Sequence, residues 1–391
     1  MKFAKRMEQF GDGIFTELLA RKQAQERAGR RVIDLSVGTP NIPPVPHVRQ
    51  ALAEAAADPK NYIYAIRDTD ALQEAAAQWY ARRYGVTLDP KTEIASLLGS
   101  QEGLTHIGLA VADPGDTVLV PDPCYPAFAC GPRVAGAKLV YMPLKKENGY
   151  LIDFDAIDPA DARAAKLMVV SYPNNPTTAV APAAFYEKLI AFAKQYDIIV
   201  LHDNAYSDLV FDGKSCGSFL RFPGAKDVGV EFNSLSKTYG MAGARVGFCL
   251  GNAKVVGVLK TLKSNLDYGM FLPIQQAAIA AITGDQSCVA KTCAAYEARR
   301  DLLISLFAKL GWQIDPPAAT MFVWATIPAQ YGTDDGRFTR DLLDQAGVLV
   351  TPGSAFGPSG AGHVRMALVQ DEEALRYAAD QMAKTSIFQA T

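Results

Sequence analysis

Apolar and polar residues alternate along the chain in a repeating pattern. Short apolar runs of strand length, each ending in small or polar residues, are followed by longer stretches with helical spacing. The clearest strand candidates are residues 138–142, 165–171, 198–202 and 228–233, with a helical stretch at 182–195. This alternation is typical of a mostly parallel sheet covered by helices, whose ligands bind beyond the carboxyl ends of the strands. We therefore predict an α/β fold with a mostly parallel sheet.

Both ends of the chain show other patterns. We predict a helix up to about residue 28, a strand at 32–36, a rigid, proline-rich extended crossing at 38–44, and helices at 46–57 and 72–84. Helical spacing returns at 275–282 and 289–310. We then predict a mixture of strands and helices, with strands at 321–324, 348–351 and 364–368 and helices at 338–346 and 371–384. With 391 residues, the chain is long enough for a large domain and a smaller one. We expect 1–45 to form an N-terminal arm and part of the small domain, 46–275 the large ligand-binding domain, and 276–391 the C-terminal small α+β domain.

Charge and cysteine content exclude several classes of protein. The 39 basic and 41 acidic residues give a net charge of −2, which argues against nucleic acid or an anionic membrane as the main partner. No apolar run approaches the roughly 20 residues of a membrane-spanning helix, and the N-terminus lacks the apolar segment of a signal peptide. The six cysteines show neither C-x-x-C spacing nor a metal-ligand pattern, so we expect a reduced, cytoplasmic protein without a metal.

One stretch carries the strongest chemical signal. Residues 234–247 read SLSKTYGMAGARVG, which places Lys237 between two hydroxyl residues and Arg245 eight positions later in a glycine-rich run. A lysine is usually a solvated surface charge. Among mainly apolar neighbours its amine would be partly desolvated, with a lowered pKa and the capacity to form a Schiff base.

Further candidates lie at predicted strand ends. Ser100 and Gln101 begin a helix whose free amides could bind an anion, and Tyr125 is held among prolines in an orientation suited to stacking on a flat ring. Asp203 follows an apolar run, where a carboxylate either meets a cationic partner or caps the next helix. Arg365 lies in an apolar strand and requires an anion, which an internal salt bridge could also provide.

Together these segments resemble the class I and II aminotransferases, which are pyridoxal-phosphate (PLP) enzymes of fold type I. Residues 234–247 are similar to the family's lysine motif. Residues 172–177, YPNNPT, are similar to its N-P-x-N-P-T signature, except that Tyr172 replaces the first Asn. The resemblance covers nearly the whole chain. It implies a large domain with a mostly parallel sheet, a smaller α+β domain, PLP as cofactor, and a homodimer with active sites at the two-fold interface.

The resemblance also implies roles for single residues. Lys237 would hold PLP covalently and move the proton of the substrate's α-carbon, while Asp203 would keep the ring nitrogen protonated. The other implied cofactor contacts are Asn175 and Tyr206 at the phenolic oxygen, Tyr125 on the ring face, and Ser100, Gln101, Ser234, Ser236 and Arg245 at the phosphate. The implied substrate contacts are Gly38, Asn175 and Arg365. A tyrosine of the loop 61–68, Tyr64 or else Tyr62, would reach the phosphate of the partner subunit, although Asp68 stands where the family has a glycine.

Two other functions share this fold and cofactor. C–S lyases of the cystathionine β-lyase type differ in how the carbanion breaks down, and a non-catalytic regulator would need a DNA-binding segment, whereas only one helix is predicted before residue 32. The substrates of a transaminase are an amino acid and a 2-oxo acid. Residues 261–273 lack the second arginine by which aspartate enzymes of this family often bind their substrate. The sequence resembles the branch holding LL-diaminopimelate, alanine and aspartate aminotransferases. We expect LL-diaminopimelate with 2-oxoglutarate as the substrate pair, and alanine or aspartate as runners-up. The far end of diaminopimelate would be held by neutral and mixed groups such as Asp267, Tyr268 and backbone amides.

Overall fold

The structure, a computed structural model, describes residues 1–10 and 13–388. The α-helices in this part of the chain are α1 Gly13–Arg27, α2 Pro46–Ala57, α3 Asp70–Tyr84, α4 Ser100–Val111, α5 Ala127–Ala135, α6 Pro159–Ala164, α7 Ala183–Tyr196, α8 Ala225–Val228, α9 Leu235–Thr238, α10 Ala253–Leu266, α11 Leu272–Thr283, α12 Ser287–Ala308, α13 Asp335–Ala346 and α14 Glu372–Ala383. The strands are β1 Ile33–Asp34, β2 Ile94–Leu97, β3 Thr117–Asp122, β4 Lys138–Pro143, β5 Ala165–Ser171, β6 Ile199–Asp203, β7 Gly229–Ser234, β8 Gly247–Gly251, β9 Phe322–Thr326, β10 Val348–Leu349, β11 Thr351–Pro352 and β12 His363–Ala367.

A seven-stranded sheet forms the centre of the molecule. Its strand order is β2-β8-β7-β6-β5-β3-β4, and the five strands from β7 to β4 are parallel. Strand β8 runs antiparallel to both β7 and β2. Alternate side chains point to opposite faces, so Leu119 and Met168 lie in one apolar core while Val118 and Leu167 lie in the other. Helices therefore cover both faces, and the predicted mostly parallel α/β fold is confirmed.

A second core joins the two ends of the chain. Strands β11, β12 and β9 form an antiparallel sheet, and β1 pairs in parallel with β10. Ile33 and Leu35 pack in this core with Phe338 and Leu375. The N-terminal segment is thus part of the same smaller layer as the C-terminal residues. The domain boundaries stay a prediction, and α11 crosses the one at 275/276 while it packs against α2 and α3.

The structure differs from the sequence pattern at several edges. The predicted strand at 348–351 is two strands, because β10 pairs with β1 whereas β11 pairs with β12. Strand β3 extends through Pro121 into the predicted proline-rich loop. Pro121 is tolerated there because the described pairing of β3 with β5 ends at Leu119. The missing N–H of Pro121 therefore interrupts no hydrogen bond to β5.

A close backbone approach ties the N-terminal segment to the lysine segment. Gly240 follows α9 with a φ of 67°, in the left-handed region that favours glycine. A β-carbon there would overlap the carbonyl oxygen of Ile42. The extended crossing at residues 38–44 is therefore held directly against the turn that follows Lys237.

Replacing Gly240 by alanine should lower the free energy of unfolding by roughly 2–4 kcal/mol, because backbone strain and a clash with Ile42 add together. Gly29→Ala is the matched control, since Gly29 has a φ of 82° but no atom within 4 Å of the added carbon. The control should lose only about 1 kcal/mol. Urea unfolding of both variants measures the difference, and equal losses would contradict the clash.

Candidate active site

The carboxyl ends of β5, β6 and β7 open into one cavity of about 460 Å³. Asn175 follows β5, Asp203 ends β6, and Ser234 ends β7 just before the short helix α9. The lining includes every residue predicted for the cofactor and the α-carboxylate except Tyr64. These lining residues are Gly38, Ser100, Gln101, Tyr125, Asn175, Asp203, Tyr206, Ser234, Ser236, Lys237, Arg245 and Arg365. Residues from the whole length of the chain thus meet where this class of sheet binds its ligands.

Lys237 lies on α9 with its amine inside the cavity. The hydroxyl of Ser234 caps this helix by accepting a hydrogen bond from the Ser236 amide. The Lys237 Nζ donates to the carbonyl oxygen of Gly38 at 3.0 Å. Burial, together with the nearby guanidinium groups of Arg365 and Arg245, lowers the pKa of Lys237 to about 8. Roughly a tenth of the amine is therefore neutral at pH 7, far more than for an ordinary lysine, and the neutral form is what a nucleophile or proton acceptor requires.

Asp203 is a buried carboxylate with an unused acceptor. Burial raises its pKa to about 7, although the amide of Ala205 and the charge of Lys237 oppose this shift. Its Oδ1 has no hydrogen-bond partner within residues 1–10 and 13–388. Buried acceptors are nearly always paired, so this oxygen fits a ligand that donates a hydrogen bond, such as a protonated ring nitrogen.

Arg365 is a buried cation held by neutral groups. Its Nη1 donates to Oδ1 of Asn175 at 3.0 Å, and its Nη2 donates to the carbonyl of Ser36 at 2.8 Å. The guanidinium carbon lies 4.1 Å from the ring centre of Phe322 and 4.6 Å from that of Phe356. Burial lowers its pKa to about 10. No carboxylate in the described part of the chain pairs with it, so the alternative of an internal salt bridge is not observed.

The start of α4 and the turn before β8 meet in a corner whose groups could bind an anion. Gly99 precedes the helix with a φ of 83°, and the guanidinium of Arg245 occupies the space that a β-carbon of Gly99 would need. Ser100 and the hydroxyls of Ser234 and Ser236 line the same cavity. Free helix amides, hydroxyls and an arginine together suit a dianionic phosphate.

Two tyrosines contribute to the walls of the cavity. Tyr125 donates from its hydroxyl to Oε1 of Gln101 at 3.0 Å. Tyr206 packs edge-on against Phe322, with 5.7 Å between ring centres, and burial raises the pKa of its hydroxyl. The Tyr206 hydroxyl is thus protonated at neutral pH and available as a hydrogen-bond donor.

Tyr64 is the predicted site residue that the cavity does not include. Its side chain is 83% exposed and packs edge-on against Tyr268, whose ring centre is 5.8 Å away. Tyr62 is also exposed and donates to the carbonyl of Ala56 at 2.9 Å. Asp68, at the family's glycine position, accepts a hydrogen bond from the Ser96 amide at 2.8 Å. Neither tyrosine lines the cavity of its own chain.

The far-end candidates also lie outside this cavity. Tyr268 lines a separate cavity beside Arg67 and Lys260. Asp267 accepts a hydrogen bond from Lys263 at 3.2 Å. Within one chain, neither residue faces the bound substrate's expected position.

Several lining residues escaped the sequence analysis. Ser36 and Thr39 flank Gly38 in the N-terminal crossing, where the proline-rich pattern marked the segment but not these side chains. Phe322 and Phe356 come from the smaller layer, and no local sequence pattern marks them as site residues. Their roles depend on contacts with Arg365 that are distant in sequence.

Comparison with known proteins agrees with this geometry. The family model described as aminotransferase class I and II matches residues 30–382. The chain therefore belongs to this family and is a PLP-dependent aminotransferase of fold type I, as the resemblance implied.

Individual relatives cover almost the whole chain. The LL-diaminopimelate aminotransferase of Dehalococcoides mccartyi is 43% identical over 96% of this chain and 96% of the relative. The enzyme of the same name from Syntrophobacter fumaroxidans is 45% identical over 98% of both chains. The apo structure of BacF from Bacillus subtilis superposes with a TM-score of 0.95 at 40% identity and covers 100% of both chains.

Two general expectations concern the cellular setting. We find no helix in residues 1–10 and 13–388 whose length and apolar character would let it cross a membrane. All six cysteines have free thiols. The cytoplasmic location stays a prediction.

Asp203→Asn should stabilise the cofactor-free protein increasingly as pH rises. The folded carboxyl ionises near pH 7 and the unfolded one near its ordinary value of 3.8, so the folded state's penalty grows from about pH 4 and is complete above pH 7. The variant's gain in unfolding free energy should increase by roughly 1–3 kcal/mol between pH 5 and pH 8.

Urea unfolding of the cofactor-free protein at both pH values provides the measurement. Asp380→Asn, at an exposed site on α14, is the control and should show no such trend. A gain for Asp203→Asn that does not change with pH would mean that Asp203 is not held at a raised pKa.

Proposed function

We propose that this protein transfers the amino group of LL-diaminopimelate to 2-oxoglutarate, with PLP bound in the cavity around Lys237. The observation that carries the proposal is a pair of buried charged groups without counter-ions in the same cavity as the Lys237 amine. Asp203 has a free acceptor for a ring nitrogen, and Arg365 has no carboxylate partner in the described chain. The substrate assignment is supported by the names of relatives at 43% and 45% identity over nearly their full length.

The cavity supplies a group for each part of the cofactor. We assign the phosphate to Ser100, Gln101, Ser234, Ser236 and Arg245, and the phenolic oxygen to Asn175 and Tyr206. Tyr125 would lie against the ring, and Asp203 would accept a hydrogen bond from its nitrogen. When bound, PLP supplies a carbonyl carbon that combines with the amino group and a ring that withdraws electrons from the α-carbon.

The protein residues then position the substrate and move its proton. Arg365 binds the α-carboxylate, and its bonds to Asn175 and Ser36 fix the plane of the guanidinium before the substrate arrives. Gly38 borders the carboxylate. Because the pKa of Lys237 is lowered to about 8, its neutral amine can accept the proton from the α-carbon near neutral pH.

The far end of diaminopimelate requires groups from elsewhere. The charged residues that line the cavity are Asp203, Lys237, Arg245 and Arg365, and each already has a role. We therefore propose that a second copy of the chain completes the site, in a cytoplasmic homodimer. A candidate contact surface is the exposed apolar patch formed by Tyr62, Ile63, Tyr64, Ile66, Leu266, Tyr268 and Phe271. Tyr64, or else Tyr62, would extend from it to the partner's phosphate.

A panel of amino donors tests the reaction and its substrate. We expect LL-diaminopimelate to convert the bound cofactor to its amine form faster than alanine or aspartate does. The absorbance of the cofactor measures this conversion. Lys237→Ala should lose essentially all turnover, since no other group in the cavity replaces its amine. A diaminopimelate rate below those of alanine and aspartate refutes the substrate. Release of pyruvate from cystathionine without conversion of the cofactor would favour the C–S lyase.

Mixed dimers test the shared site. A hybrid of one Lys237→Ala chain and one Tyr64→Phe chain should recover about half of the wild-type turnover, because one of its two sites receives both native residues. Tyr62→Phe in place of Tyr64→Phe identifies which tyrosine crosses the interface. An active monomer by light scattering, or a hybrid no better than its Tyr64→Phe and Tyr62→Phe parents, contradicts the arrangement.

A further inference from the structure

Asp208 joins three segments of the chain behind the cavity. Its side chain is 2% exposed and forms an ion pair with Arg83 near the end of α3. Its Oδ2 accepts a hydrogen bond from the hydroxyl of Thr238 at 2.9 Å. Asp208 itself belongs to the turn after β6, which begins directly after Asp203 and carries Tyr206. One carboxylate therefore connects α3, the turn after β6, and the helix that bears Lys237.

A neighbouring hydrogen bond strengthens the same connection. The hydroxyl of Tyr84, the last residue of α3, lies 2.7 Å from the hydroxyl of Ser207. Two consecutive residues of α3 thus contact two consecutive residues of the turn. This pairing fixes the turn in two places, so a displacement of Asp208 relative to α3 would break both contacts.

Helix α9 depends on such outside contacts. It has four residues, and a single helical turn is unstable by itself because nucleation is unfavourable. Ser234 caps its first turn, and the Thr238 hydroxyl bonds to Asp208 immediately after Lys237. The two ends of the helix are therefore held by a cap on one side and by the buried carboxylate on the other.

Stability alone explains this arrangement poorly. Desolvating an arginine and an aspartate consumes most of what their attraction contributes, and apolar residues at such positions are often as stabilising. A buried ion pair does impose a direction on the groups bonded to it. Here the bonded group is the hydroxyl of Thr238, the residue directly after Lys237.

We propose that Asp208, held by Arg83 and bonded to Thr238, is a positioning residue that sets the location of the Lys237 amine relative to Asp203. The cluster acts through α9 and touches neither substrate nor cofactor. This inference rests on the proposed function only in assigning Lys237 its role, since the geometry itself belongs to the protein without ligands.

The surroundings of Lys237 indicate what loosening α9 would change. Its amine is buried and faces two cations, Arg365 and Arg245, and one carboxylate, Asp203. If α9 moves, the amine gains water and leaves the two guanidinium groups. Its pKa should then rise from about 8 toward the ordinary value of 10.5.

The test compares Thr238→Val, which keeps the shape but removes the hydroxyl, with Thr238→Ser, which keeps the hydroxyl. Competitive acetylation of the cofactor-free protein across pH, read by mass spectrometry at Lys237, gives the titration of that amine. We expect the Thr238→Val midpoint to move up by about one pH unit or more, and turnover of the loaded enzyme to fall at least about tenfold. Thr238→Ser should match the wild type.

Thr339→Val controls for loss of a buried hydroxyl elsewhere, because the Thr339 hydroxyl lies in α13 and has no partner in the described chain. Its titration should be unchanged. The proposal is overturned if the titration midpoint of Lys237 in Thr238→Val equals that of the wild type, whether or not the melting temperature falls. It is also overturned if Thr238→Ser behaves like Thr238→Val. A shifted midpoint supports it even if the donor panel refutes diaminopimelate, so the two failures are distinguishable.

Discussion

The burial of charge in one cavity, with Asp203 and Arg365 buried and Lys237 half-buried, is the constraint on which the structure depends. Asp203, Lys237, Arg245 and Arg365 line a single cavity, yet Lys237 faces two cations and Arg365 has no acidic partner in the described chain. Groups placed in this way shift in pKa, and only a rigid surrounding structure keeps them from turning toward water. The pKa values of about 7 for Asp203 and about 8 for Lys237 reflect this unfavourable burial of charge. A ligand with a cationic ring nitrogen and anionic groups relieves it.

The N-terminal crossing supplies much of the required rigidity. The carbonyl of Ser36 accepts hydrogen bonds from Arg365 and from the hydroxyl of Thr351, while the carbonyl of Gly38 accepts one from Lys237. Gly240 keeps the following residues of the crossing against the lysine turn. One extended segment therefore holds both Lys237 and Arg365, the two cations to which we assign roles toward the substrate. Its prolines suit this task, because they restrict the backbone without a supporting helix.

The sequence predicted most of the site because strand ends carry local information. Asp203, Ser234 and Lys237 stand at the carboxyl ends of apolar runs, where the parallel sheet gathers them. Other features depend on contacts distant in sequence. The split of 348–351 into two strands follows from different pairing partners, and the link from Asp208 to Arg83 spans 125 positions. The role predicted for Tyr64 involves a second chain, which neither the sequence pattern nor the contacts within one protomer describe.

The partners of the charged residues also bear on how the far end of a substrate is recognised. Asp267 lies in the stretch where a distal group was expected, but it bonds to Lys263, which also contacts Glu102. Lys263 is therefore shared between two carboxylates, and a substrate ammonium would have to compete with it for Asp267. In the assignment that we propose, every charged side chain inside the cavity has a role toward the cofactor or the α-carboxylate. Under that assignment, selection among amino acids would depend on neutral side chains such as Thr39 and Phe356 together with groups from the partner chain. The choice of substrate would then be separate from the chemistry around Lys237.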